Sequence, residues 1–291
     1  RPGSPRASRL AALTPDVLPG YLHEPRSVAA ACRGVHAIVH LAAPTREVRD
    51  AVVEQFHREV TACLVEGAKR ARVERFLMIS PLGAGSGAGL PYLRSRGAAE
   101  EALRASGLPS VILQSSLMFG AGDRLVGGII RVLRRTGLLV IPGGGKTTVQ
   151  PIWVGDVVSC LTRALRDDAH LDRTIPLGGP QHLSYEDIAD QIAKMLNLPR
   201  VKVHVSRRAV GWASRLLEGL GHNPFLRYRH LELLDVGTIT ALDAVKRIFR
   251  FQPMPLVEGV AYHLASPGNL GAPWLSFGAD RESRSRSRHR G

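Results

Sequence analysis

Residues 74–100 join a continuous apolar run to a glycine-rich segment and then to a helical pattern, and this stretch constrains the fold more than any other. The run at residues 76–79 lacks the roughly 3.6-residue period of an amphipathic helix. Such a run is typical of a strand buried on both faces, as in a parallel sheet covered by helices. Glycines at positions 83, 85, 87 and 89 interrupt regular structure directly after it. The sequence therefore predicts a parallel α/β fold in which a loop leads from a buried strand into a helix.

A tyrosine and an arginine stand one helical turn apart directly after this loop. The helical pattern begins at Tyr92, and the four-residue step to Arg96 places the phenol and the guanidinium on one face of the helix. A free tyrosine titrates near pH ~10 and exchanges protons poorly at neutral pH, but a fixed cation beside it stabilises the phenolate and lowers the pKa. The pair therefore indicates an acid/base centre.

The strand ending at Ser80, the glycine-rich loop and the Tyr-x-x-x-Arg segment together resemble the active-site strand and helix of the short-chain dehydrogenase/reductase superfamily, whose signature is Tyr-x-x-x-Lys. The chain is similar to the extended and atypical members, including the NmrA-like group and the group of the Rossmann-type accessory subunit of respiratory complex I. This similarity runs from residue 19 to residue 264. It implies an α/β Rossmann-like parallel sheet with helices on both faces, a small C-terminal α/β lobe, and NAD or NADP as cofactor.

The resemblance also assigns roles to individual residues. Tyr92 would exchange a proton with a substrate oxygen while hydride moves at the nicotinamide, and Arg96 would bias the tyrosine towards phenolate. Ser80 would polarise a substrate carbonyl, with a serine that bonds its own backbone as the structural alternative. The residues predicted to border the cofactor are Leu41, Ala42, Ala43, Tyr92, Arg96 and Ser116. For the three residues that end the strand at 37–43, plain sheet core is the alternative.

Several residues depart from the family pattern at the nicotinamide end. Pro81 stands where many relatives have a second serine, Arg96 replaces lysine, and Gln114-Ser115 replaces the Arg-Pro of Leu-Arg-Pro-Ser. Two functions therefore stay open. One is an NAD(P)-dependent oxidoreductase or epimerase acting on a small carbonyl or hydroxyl compound or a nucleotide-sugar. The other is a non-catalytic nucleotide-binding scaffold or a subunit of a protein complex, as the complex I resemblance implies.

The usual pyrophosphate-binding turn is missing before the strand that starts at Ala37. Neither Gly-x-Gly-x-x-Gly nor Gly-x-x-Gly-x-x-Gly stands between a strand and a helix there. We therefore expect the chain to be a fragment that lacks the N-terminal β-α-β unit. The predicted organisation is an incomplete dinucleotide-binding domain at 1–150, a substrate-side lobe at 151–267 and a disordered basic tail at 268–291.

Composition argues against several other classes of function. Residues 1–9 and 281–291 contribute +3 and +4 to the formal charge of +14, so half of the excess lies in two tails, and nucleic-acid binding is not expected. The three cysteines form no C-x-x-C pair, which disfavours a zinc site or a disulfide framework and favours a reducing compartment. No apolar run is long enough to span a membrane. The predicted location is cytoplasmic; the alternative is the mitochondrial matrix, because residues 1–15 are rich in Arg, Ser and Ala and lack acids.

Local patterns predict the remaining elements. His40 is interpreted as a packed core histidine, Asp156 as a helix cap and Gly143–Lys146 as a turn, since it fits no phosphate-binding loop. Ser184 and Asp187 have the spacing of a capping box. Further strands are predicted at 110–119, 174–177 and 201–205, and helices at 27–34, 47–72, 209–220, 224–234, 242–251 and 256–264.

Overall fold

A computed structural model describes residues 17–43, 50–120, 123, 125–198, 201–206, 208–212, 233 and 236–265 of the 291-residue chain. Its helices are α1 Pro25–Ala31, α2 Asp50–Arg70, α3 Pro91–Ala105, α4 Leu125–Thr136, α5 Val154–Ala164, α6 Tyr185–Met195, α7 Ala244–Phe249 and α8 Leu256–Ala265, with a 3-10 turn at Asp168–His170. Its strands are β1 Ala37–His40, β2 Arg75–Pro81, β3 Ser110–Ser115, β4 Met118–Phe119, β5 Leu138–Pro142, β6 Thr148–Val149, β7 Ile152–Trp153, β8 Arg173–Leu177, β9 Leu183–Ser184 and β10 Val201–Val205.

The main sheet has four parallel strands in the order β1-β2-β3-β8. Strands β1 and β2 are parallel neighbours, with His40 opposite Met78. Three smaller pairs accompany the main sheet: β5 with β10 and β4 with β7 are parallel, and β6 with β9 is antiparallel. All the carboxyl ends of the main sheet therefore lie along one edge, where open α/β sheets bind ligands.

Alternating residues of the central strands face opposite sides of the sheet. Phe76 and Met78 of β2 pack with helices α1, α2 and α3, whereas Leu77 packs with α5 and α7. All three side chains are almost completely buried. This confirms a parallel sheet flanked by helices on both faces, and it explains why the run at residues 76–79 has no polar alternation.

A third apolar cluster lies outside the main sheet. It joins α4, α6 and α8 to β5 through buried residues such as Leu133, Ile141, Ile188 and Leu256. Strands from before and after residue 150 pair with each other in two places. Strand β5 pairs with β10, and β3 of the main sheet pairs with β8. The domain boundaries predicted from the sequence stay a prediction.

The predicted cap at Asp156 is wrong. Helix α5 starts at Val154, with Trp153 as its N-cap residue, and Asp156 lies inside the first turn. The buried carboxylate instead accepts a hydrogen bond of 2.6 Å from the backbone N–H of Met254, 98 residues away. Asp156 thus connects α5 to the segment that leads into α8.

The capping box at Ser184 and Asp187, the turn after Pro142 and the strand at 201–205 are confirmed. The strand predicted at 110–119 ends at Ser115 and resumes as β4, and the sequence analysis did not predict α4 or β5. Most of the helix predicted at 224–234, most of that at 209–220, and the predicted tail lie outside the described residues. Within the described ranges, no helix is both long and apolar enough to cross a bilayer.

Close packing between α3 and the glycine loop, defined as residues 82–90, depends on Gly97. A side-chain carbon at this position would overlap the backbone of Gly85. Because the loop lies this close to the helix, the N–H of Gly85 can donate to the carbonyl of Leu93 at 3.3 Å. A helix surface without a side chain at residue 97 is therefore required for the loop to lie on the helix.

We expect Gly97→Ala to lower the free energy of unfolding by about 1–3 kcal/mol through overpacking. Gly127→Ala is the matched control, since Gly127 also lies in a helix, α4, but has nothing within 4 Å of the added carbon. The control should be neutral or stabilising by up to about 1 kcal/mol. Urea denaturation of both variants measures the difference, and equal effects would contradict the packing role of Gly97.

Candidate functional site

The glycine loop runs along the carboxyl edge of β2 and is fixed at its far end by Arg94. The guanidinium of Arg94 donates to the carbonyls of Ala88 and Gly89 at 3.0 and 2.9 Å. Gly83, at the near end, has a φ of +88°, a backbone conformation that favours glycine. The loop delivers the chain to Pro91, the first residue of α3, with Tyr92 in the first turn.

Tyr92 is half-buried, and His57 and Ser95 contact it. The ring of His57, on α2, lies 5.7 Å from the Tyr92 ring, centroid to centroid. The Ser95 hydroxyl donates to the Tyr92 carbonyl at 2.9 Å, and His57 Nδ1 lies 2.9 Å from the same hydroxyl oxygen. Because a hydroxyl has one hydrogen, His57 must donate to Ser95 through Nδ1–H. The histidine and serine therefore fix the first turn of α3 against α2.

Arg96 is buried, with 3% of its surface exposed, and its guanidinium donates to the carbonyl of Ile79 near the end of β2. Burial lowers the pKa of Arg96, while Tyr92 and Glu100 act in the opposite direction by favouring its charged form. The structure therefore brings the predicted pair together one helical turn apart. It places the cation against the strand end rather than in solvent.

Ser80 follows Ile79 and is 2% exposed. Neither its Oγ nor the Nε of Arg96 has a hydrogen-bond partner within the described residues. The alternative in which Ser80 bonds its own backbone is not observed. Buried polar groups are nearly always paired. The unpaired hydroxyl of Ser80 on β2 and the unpaired Nε of Arg96 on α3 are therefore candidate contacts for a polar ligand.

The other predicted cofactor residues differ in their surroundings. Leu41 is 64% exposed and Ala43 is exposed, whereas Ala42 is half-buried against the core beside β1. Ser116 is buried: its hydroxyl donates to the carbonyl of Thr238 at 2.7 Å and accepts from the N–H of Gln150 at 3.3 Å. These residues lie at the carboxyl ends of β1 and β3, and their contact with a cofactor stays a prediction.

His40, the last residue of β1, packs in the core. Its ring contacts Phe76 at 6.3 Å between centroids, and 3% of its surface is exposed. Burial, and secondarily the charge of Arg96, lowers its pKa to about 4, so the imidazole is neutral at physiological pH. The interpretation of His40 as a core histidine is consistent with this environment.

Sequence reasoning missed three polar residues around the site: His57, Glu100 and Gln150. Glu100 stands one turn beyond Arg96, so the spacing of Tyr92, Arg96 and Glu100 was a usable signal. Gln150 gives no local signal. Its amide donates to Gly179 O at 2.7 Å and its carbonyl accepts from Thr240 N at 2.7 Å, joining segments far apart in sequence.

Several known proteins are similar to this chain in sequence. Residues 4–122 match the model of a family described as NAD(P)H-binding. Subunit 9 of the NADH dehydrogenase (ubiquinone) 1 alpha subcomplex of Arabidopsis thaliana is 28% identical over 172 residues, which are 58% of this chain and 43% of that protein. The sequence of residues 4–122 is therefore similar to that of NAD(P)H-binding proteins. An NAD(P)H azoreductase of Xenophilus azovorans is 26% identical over 62% of this Rossmann-like chain and 58% of that enzyme.

Solved structures show the same fold. The Citrobacter triphenylmethane reductase complexed with NADP(H) aligns with a TM-score of 0.72 at 19% identity and covers 89% of this chain and 87% of that one. An NADPH-dependent quinone oxidoreductase of Escherichia coli aligns with a TM-score of 0.70 at 16% identity and covers 88% and 86%. By contrast, the Rossmann-like chain spans about half the length of the curated relatives it matches.

The lowered pKa of His40 predicts a loss of stability in acid. Between about pH 6.5 and pH 4 the unfolded chain binds a proton that the folded protein excludes, so the free energy of unfolding falls as the pH drops. The His40 component is about 2 kcal/mol between pH 7 and pH 5. Urea denaturation at both pH values should show a shallower decrease for His40→Gln than for the wild type.

The exposed His36 provides the control for this experiment. We expect His36→Gln to keep the wild-type dependence of stability on pH. The pKa of His170 is also lowered by burial, but His170 is present in every variant and its effect cancels. Equal slopes for wild type and His40→Gln would show that the buried His40 does not resist protonation.

Proposed function

We propose that this protein binds NAD(P)H at the carboxyl edge of the β1-β2-β3-β8 sheet and acts as an oxidoreductase or epimerase on a small carbonyl or hydroxyl compound or a nucleotide-sugar. The observation that carries the proposal is a pair of buried atoms without a hydrogen-bond partner in the described part of the chain: Ser80 Oγ, and Nε of Arg96, which lies one helical turn from Tyr92. They give the strand end a hydroxyl, a fixed positive charge and a phenol, which together suit proton exchange with a substrate oxygen.

The residues present fit the nicotinamide end of a dinucleotide. Leu41 and Ala43 offer exposed apolar surface at the end of β1, and Ser80 lies at the end of the neighbouring strand. NAD(P)H, when bound, supplies the hydride. Tyr92 gives or takes the proton at the substrate oxygen, and Arg96 supplies a positive charge one helical turn away. Ser80 donates a hydrogen bond to the carbonyl and polarises it.

The test is binding followed by turnover. Titration with NADH and NADPH, monitored by nicotinamide fluorescence, measures affinity, and carbonyl compounds and nucleotide-sugars are then screened for oxidation of the cofactor. Tyr92→Phe should lower kcat/KM by about 10²- to 10⁴-fold, the usual contribution of a positioned acid or base, with cofactor affinity nearly unchanged. Tyr21→Phe, at an exposed tyrosine, is the matched control. Undiminished turnover in Tyr92→Phe would exclude Tyr92 from the mechanism.

A second candidate is a non-catalytic nucleotide-binding subunit of a larger complex. It is supported by the mitochondrial NADH dehydrogenase subunits of Arabidopsis and rat, the latter 23% identical over 217 residues. The burial of Arg96 against the Ile79 carbonyl also favours it, because this guanidinium already serves to hold the helix. Under this candidate the compartment is that of the complex, the mitochondrial matrix, whereas the enzyme is expected in the cytoplasm.

Native mass measurement of the protein from its source separates the two candidates. A stable large assembly that retains dinucleotide without turnover supports the subunit. A free protein that oxidises NAD(P)H in the presence of a substrate supports the enzyme. The Tyr92→Phe variant gives the matched comparison. It should lose most of its turnover if the enzyme candidate is correct, and it should assemble like the wild type if the subunit candidate is correct.

A further inference from the structure

Glu100 places a buried carboxylate between helix α3 and the main sheet. The residue is 1% exposed. Its Oε2 accepts from Arg104 at 2.7 Å, and both of its oxygens lie close to Nε2 of Gln114, at 3.1 and 3.0 Å. A buried carboxylate requires such donors, because an unpaired charge in the interior is costly.

Gln114 also reaches the glycine loop. Its Nε2 lies 3.3 Å from the carbonyl oxygen of Ala84. An amide nitrogen has two hydrogens, so one can bond the Glu100 carboxylate and the other the loop carbonyl. Gln114 pairs in register with Ser80 of the adjacent strand. One side chain on β3 therefore joins the sheet, the helix and the loop beside the candidate catalytic serine.

The loop needs a restraint at this position. A segment with four alternating glycines has large conformational freedom, which must be lost whenever the loop is ordered. Arg94 holds the far end at Ala88 and Gly89, and the contact with Gly97 holds the middle at Gly85. Gln114 holds the near end, next to the strand end where the ligand is proposed to bind.

We propose that Gln114, anchored by Glu100, is a positioning residue that fixes the glycine loop and thereby raises the affinity of the site for NAD(P)H. The proposal rests on the proposed function, since it assumes that the dinucleotide binds at this edge. A loop that is already ordered binds its ligand more tightly, because less conformational freedom is lost on binding. Gln114 occupies a position where the resembled family has arginine, and in this chain Glu100 forms an ion pair with Arg104.

Gln114→Glu is the most informative variant. It replaces the amide donor with a second carboxylate facing Glu100, and the nearest cations, Arg96 and Arg104, lie one turn to either side on α3. Two adjacent carboxylates raise the pKa of one of them, so lowering the pH allows a shared proton to restore a hydrogen bond. We expect NADPH affinity at least tenfold weaker than wild type at pH 8, with partial recovery at pH 6.

Two further variants complete the experiment. Gln114→Met is similar in length but donates no hydrogen bond, so it should weaken NADPH binding at both pH values. Gln55→Glu is the matched control, because Gln55 donates to Glu59 at 2.7 Å in an exposed glutamine–glutamate pair on α2. The control should bind NADPH like the wild type. Hydrogen–deuterium exchange of the loop amides, compared with wild type at the same pH, should be faster in both Gln114 variants only.

The outcomes separate this proposal from the proposed function. If the Gln114 variants keep wild-type loop exchange and wild-type NADPH affinity, the positioning role is wrong. A lower melting temperature with unchanged affinity and loop exchange also overturns it, since that result shows a purely structural residue. If the wild type binds neither NADH nor NADPH, the proposed function fails. The exchange comparison still decides in that case whether Gln114 fixes the loop.

Discussion

The hydrogen bond from the buried guanidinium of Arg96 to the carbonyl of Ile79 fixes helix α3 against the end of β2. Arg96 is only 3% exposed, and a charge buried to this extent is stable only where neighbouring groups accept its hydrogen bonds or carry the opposite charge. Here the strand carbonyl provides a direct acceptor, while Tyr92 and Glu100 favour the charged form. This buried cation, together with the contacts of Ser95 and Gly97, holds the helix and with it Tyr92 at the end of β2.

The same helix can carry the glycine loop because Gly97 has no side chain. The approach of Gly85 brings the loop onto α3, and Arg94 and Gln114 then hold its two ends. The loop, the helix and the ends of β2 and β3 consequently form one connected structure. A ligand at the carboxyl edge of the sheet would meet a preformed wall, which reduces the entropy lost on binding.

The enzyme candidate requires that Arg96 has a donor left for a ligand after it has bonded the carbonyl of Ile79. Lysine is a compact point charge on a flexible chain, whereas arginine has a planar group with donors fixed in a fork. A fork can bond the strand carbonyl with one nitrogen while another remains available, and Nε has no partner within the described residues. Ser80 Oγ likewise has no partner within the described residues, and the proposed oxidoreductase rests on these two unpaired groups.

The sequence by itself determined the features that depend on near neighbours. The strand, loop and helix at residues 74–100, the turn from Tyr92 to Arg96 and the capping box at Ser184 are visible because their hydrogen bonds and periodicities span only a few residues. Family resemblance added the Rossmann-like parallel sheet with helices on both faces. These local rules also failed at Asp156, whose spacing suits a cap but whose partner is elsewhere.

Only the tertiary structure decided where the buried polar groups find partners. Asp156 bonds a residue 98 positions away, Gln150 one 90 positions away, and Ser116 one 122 positions away. No pattern in the sequence reports such pairs, because they form only when separate elements are packed together. For the same reason Glu100 and Gln114 were not recognised as partners: their hydrogen bond depends on the distance between a helix and a strand that the packing of Arg96 and Gly97 sets.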